Sequence, residues 1–166
     1  MAQVPVEFSF SVPNTTEGGG SHRITCYRWE ADSTPSAPPV VCVHGLTRNG
    51  HDFDYLAREL SKTRTVLAPD MPGRGKSEYL SDPLGYNYPA YVADIAALLK
   101  HEGISQLDWV GTSMGGIIGM MFAATFPGVI RKLVLNDIGA VVSAAGLKRI
   151  MSYAGSPSKF STRAEA

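Results

Sequence analysis

Between Val4 and Val12 apolar residues alternate with polar ones, at Val6, Phe8, Phe10 and Val12. That period of two predicts a half-buried strand. A second strand is predicted over Ile24–Trp29, joined to the first through Gly18-Gly19-Gly20, so the pair reads as a hairpin. After a Ser/Pro loop over Ala31–Pro39, Val40–Val43 is continuously apolar and mostly β-branched. A strand apolar on both faces belongs in the middle of a parallel sheet. From there strand and helix patterns alternate. Asp52–Leu60 puts Phe53, Leu56, Ala57 and Leu60 on one helical face, and Asp52 is a candidate cap. Thr65–Ala68 is a short strand stopped by Pro69-Asp70. Pro89–Glu102 is an amphipathic helix with Val92, Ile95 and Leu99 on one face; Pro89 suits its first turn and Gly103 its end. Leu107–Val110 and Leu133–Leu135 read as further strands. The helix between them, Ser113–Phe126, is apolar nearly all round, which predicts a place between a sheet and another layer.

Repeated strand–helix–strand units imply right-handed crossovers. The predicted fold class is α/β, a doubly wound, mostly parallel sheet with helices on both faces. From Val141 to Ala166 the chain turns polar and helical, with a break at Gly155-Ser156-Pro157.

Composition narrows the function. Fifteen Lys and Arg balance fifteen Asp and Glu, so no basic excess draws the chain onto nucleic acid or a membrane surface. At 44% hydrophobic residues, the chain can build a sizeable core. Cys26 and Cys42 fit neither a disulfide framework nor a zinc site and are expected as buried free thiols. The N-terminus lacks a signal-peptide pattern and no run of ~18 apolar residues exists, so a cytoplasmic location is expected.

The strongest chemical signal is Gly111-Thr112-Ser113-Met114-Gly115, placed between a strand and an apolar helix. In that context G-x-S-x-G predicts a strained turn that lifts the Ser113 hydroxyl over the sheet edge as a nucleophile. The second signal is His44-Gly45-Leu46-Thr47 at the end of the central strand. Acyl transfer needs N–H groups aimed at a developing oxyanion, and those of Leu46 and Met114 are the candidates. Leu46, Met114 and Thr47 also suggest an apolar acyl pocket. His44 is read as a support for that loop rather than a general base. The third signal is Asp70-Met71-Pro72-Gly73-Arg74-Gly75-Lys76-Ser77. A nucleotide-binding reading of Gly75-Lys76-Ser77 fails, because the pattern requires glycine where Asp70 stands. Arg74 and Lys76 are expected to be a solvated turn. His44, His51, Asp52 and Asp54 do not make a convincing metal set, and no metal is expected.

In this order and spacing the three motifs resemble the α/β-hydrolase family, in its esterase, epoxide-hydrolase, dehalogenase and perhydrolase branch. The resemblance spans about residues 20 to 150 and extends to Leu133–Gly139. It implies a serine hydrolase acting on an ester or similar acyl bond, with a small-molecule acyl substrate and no cofactor. Ser at position 113 speaks against the carboxylate nucleophile of dehalogenases and epoxide hydrolases, while perhydrolysis and carbon–carbon bond hydrolysis stay open. Residues 1–139 then form the N-terminal part of the hydrolase core, cut after its sixth strand, and 140–166 begin a cap or lid.

The family order is Ser, acid, His. Here His22, His44, His51 and His101 all precede Ser113. Asp137, after the last strand, is a candidate acid, as in some relatives, while many others carry theirs after a seventh strand not found in this sequence; it is equally read as a carboxylate that satisfies local backbone donors. The expectation is therefore a catalytically incomplete chain. Its remainder would be carried by a second chain, be disordered, or be lost to cleavage or a frameshift, with self-association through the bare sheet edge. The competing reading is a non-catalytic domain that binds a ligand or partner.

Overall fold

The computed structural model describes residues 3–15 and 19–152. Six strands form one mixed sheet in the order β1-β2-β4-β3-β5-β6. They are β1 (Val6–Pro13), β2 (Ser21–Trp29), β3 (Val40–Val43), β4 (Val66–Pro69), β5 (Leu107–Thr112) and β6 (Ile130–Asn136). The helices are α1 (Asp54–Leu60), α2 (Tyr88–Glu102), α3 (Met114–Thr125) and α4 (Ala144–Met151). The expected hairpin is present: β1 and β2 run antiparallel, and β2 is antiparallel to β4. The β4–β3, β3–β5 and β5–β6 pairings are all parallel.

Strand order explains where a site can form. The chain goes from β3 to its neighbour β4, then crosses back over β3 to reach β5. The carboxyl ends of β3 and β5 therefore flank the point where the winding reverses, the usual crevice of an open α/β sheet. The continuous apolar run of β3 is buried at every position. Its alternate residues feed two cores: Val41 and Val43 join Leu67, Trp109, Ile118 and Phe122, while Val40 and Cys42 join Tyr27, Trp29, Phe53 and Ala57. Cys26 belongs to the first cluster and Cys42 to the second, and both are free and fully buried. Burial pushes both thiols up, Cys42 to about 12.

Local signals explain most element ends. Pro89 lies in the first turn of α2, and Gly103 caps its end at φ 66°. The N-cap is Asn87, whose side chain accepts from the Ala90 amide. Asp52 is not a cap. Asn49 caps a short 3-10 turn over Gly50–Phe53 by accepting from the His51 amide, and Asp52 pairs with Arg48 at 2.8 Å. Helix α3 buries Met114, Ile118 and Phe122, but Ile117, Met120 and Met121 stay half-buried. Its apolar circumference is thus covered on one side only among the described residues. β6 ends the sheet, with Val134 53% exposed. The predicted break at Gly155-Ser156-Pro157 lies outside the described residues.

Candidate active site

The turn between β5 and α3 consists of Ser113 alone, at φ 50° and ψ −112°. An L-residue adopts this backbone only when its surroundings enforce it. A Cβ on Gly111 would strike Gly115 O, one on Gly115 would strike Val43 O, and one on Gly116 would strike the Ile138 side chain. The glycines thus let helix, strand and β3 close together. The Ser113 amide donates to Asn136 O at 2.9 Å, and Ser113 O accepts from the Gly116 and Ile117 amides. The Trp109 indole donates to Gly115 O at 3.1 Å and fixes the helix start from below. Ser113 consequently faces a cleft of about 280 Å³ lined also by Leu46, Tyr88, Met114, Asp137 and Leu147.

The loop after β3 sits against this turn. A Cβ on Gly45 would stand 3.7 Å from Ser113 Cβ. His44 is fully buried, donates through Nδ1 to Gly45 O at 2.7 Å and accepts at Nε2 from the Met71 amide at 2.9 Å. Burial pulls its pKa below 6.5, against the opposing pull of the Gly45 bond, so the ring is held neutral. Holding Gly45 O turns the Leu46 N–H the opposite way, since the two dipoles of a trans peptide are antiparallel. The Met114 N–H opens α3 and is one of the donors a helix cannot satisfy internally. Neither amide donates to another backbone group among the described residues.

Asp137 follows β6, lines the same cleft and has φ 56°. Its carboxylate is exposed. The four histidines are elsewhere. His22 bonds Asn14 and Asp94, His51 bonds Asp54, and His101 stacks on Phe8 and Phe10. None of them lines the Ser113 cleft.

The Asp70–Ser77 loop is a brace. Asp70 accepts from the Gly50 and Lys76 amides and from Tyr27 Oη, and a Cβ on Gly75 would strike its carboxylate. Ser77 Oγ links Asp70 O to the Thr25 amide. Of the expected solvated turn, Lys76 is exposed and pairs with Glu7, but Arg74 is not free. Arg74 Nε donates to Leu46 O at 2.8 Å; its Nη1 donates to Pro72 O and to Tyr91 Oη. Sequence reasoning missed this contact, since Leu46 lies 28 residues away.

A family model for the alpha/beta hydrolase fold matches residues 38–160. The chain belongs to the α/β-hydrolase fold family. The chain is 43% identical over 143 residues to a 3-hydroxybutyrate-oligomer hydrolase of Cupriavidus necator, covering 86% of this chain and 48% of that protein. It is 34% identical over 100 residues to a human serine hydrolase-like protein, covering 60% and 49% of the two. The crystal structure of an α/β hydrolase from Novosphingobium aromaticivorans superposes with TM-score 0.82 at 41% identity, covering 94% of this chain and 52% of that one. The chain thus spans about half the length of these relatives. No helix among its described residues is long and apolar enough to cross a membrane.

Proposed function

We propose that this chain supplies the nucleophile and oxyanion donors of a serine hydrolase that cleaves esters of short hydroxy acids. One observation carries the reading: Ser113 stands at positive φ on a glycine-enforced turn, facing a cleft beside two amides without backbone acceptors. Ser113 Oγ attacks the ester carbonyl carbon, and its proton passes to a histidine that these 166 residues do not carry. The Leu46 and Met114 N–H groups hold the oxyanion. Its collapse expels the alcohol, which takes the proton back from the histidine, and water then hydrolyses the acyl-enzyme. Asp137 is the acid that orients the base. Val141, Val142 and Leu147 border the same cleft, which supports a lid beginning at residue 140. The 3-hydroxybutyrate-oligomer hydrolase among the relatives supports the ester class.

The competing reading is ligand binding without turnover. A fluorophosphonate probe with peptide mapping separates the two, applied with the C-terminal half of a related hydrolase supplied in trans. Labelling at Ser113, lost in Ser113→Ala, is expected; equal labelling of both proteins, or none, supports the binding reading.

A further inference from the structure

A second cleft, of about 430 Å³, opens beside the first and shares Leu46 with it. Thr47, Asn49 and the Gly73–Gly75 turn wall it, and Arg48 and Arg74 line it without any carboxylate. Arg48 is already neutralised by Asp52. Arg74 is not: Leu46 O, Pro72 O and Tyr91 Oη are all neutral acceptors, and no acid pairs with it among the described residues. Its guanidinium also stacks 5.5 Å from the Tyr91 ring centroid. A fork held this way keeps a positive charge in place with little rotamer entropy left to lose on binding. Asn49 adds a donor, since its Oδ1 is taken by the His51 amide and its NH2 group is left over.

Cleaving a hydroxy-acid oligomer next to its acid end gives an alcohol leaving group that itself carries a carboxylate. We propose that the second cleft seats this free carboxylate, with Arg74 as the recognising charge, while the scissile carbonyl lies at Ser113. The proposal rests on reading Ser113 as the nucleophile. A charge-assisted contact of this kind corresponds to about a tenfold preference in affinity.

The test is calorimetric titration of the chain carrying Ser113→Ala, which cannot turn over, with the 3-hydroxybutyrate dimer and with its methyl ester. The free acid is expected to bind about tenfold more tightly. Arg74→Gln, which keeps a donor near Leu46 but no charge, is expected to erase the difference. Equal affinity for acid and ester, no saturable binding of the acid, or a preference that survives Arg74→Gln would each overturn the proposal. The titration does not depend on nucleophilicity. An acid preference without fluorophosphonate labelling therefore removes the role of Ser113 and leaves the subsite, and labelling without an acid preference does the reverse.

Discussion

Ser113 and Asp137 are the two non-glycine residues at positive φ among those described, at the ends of neighbouring parallel strands and on the rim of one cleft. Their surroundings differ. Around Ser113 three glycines leave no space for a methyl group, and the Trp109 indole, Asn136 O and the buried His44 loop hold the turn on the sides away from the cleft. Asp137 is exposed, and a Cβ on nearby Gly139 would meet nothing within 4 Å. Strain persists where packing over-determines it. Ser113 meets that condition, and Asp137 is held in place mainly by β6 before it.

The contrast can be broken first at Gly115. Gly115→Ala sets a methyl group on Val43 O, and a loss of about 3 kcal/mol or more is expected in urea melts. A loss well under 1 kcal/mol would show that the turn gives way. Next, Ser113→Gly releases the strain and is expected to stabilise the fold by about 1–2 kcal/mol while abolishing fluorophosphonate labelling. Unchanged or lower stability would mean that the turn stores no strain.

The clamp also carries a pH signature. The folded pKa of His44 lies below its ordinary 6.5, so the unfolded chain takes up the proton first. Stability due to neutral His44 is complete above 6.5 and drains away as pH falls below it. Urea melts across that range should therefore be steeper in pH for the wild type than for His44→Gln, and parallel slopes would contradict it. The smallest effect is expected at Asp137→Gly, a change within about 1 kcal/mol, because aspartate tolerates this backbone and nothing crowds it. A large gain there would erase the contrast with Ser113.

Much of this was legible along the chain. Continuous apolar runs located β3 and β4, since burial on both faces leaves no polar period. The elbow was legible because it needs small residues within five positions, so its chemistry is local. Asn49 was not legible as the cap because Asn and Asp cap about equally well, so Asp52 competed with it, and at α2 the Pro89 signal marked the first turn but not the cap at Asn87. Arg74 was unreadable as a brace for a different reason: a solvated arginine and one that holds a carbonyl on a distant loop have identical neighbours in sequence. Asp70 hides its role likewise, as its acceptor work depends on Gly50 and Tyr27.

The two thiols sit in separate cores, one on each side of the sheet, and neither has any solvent contact. With both pKa values pushed up, alkylation must wait for the backbone around each sulfur to open. Timed maleimide pulses would thus act as a pair of clocks, Cys26 reporting when the side bearing α2 and α3 loosens and Cys42 when the side bearing α1 does.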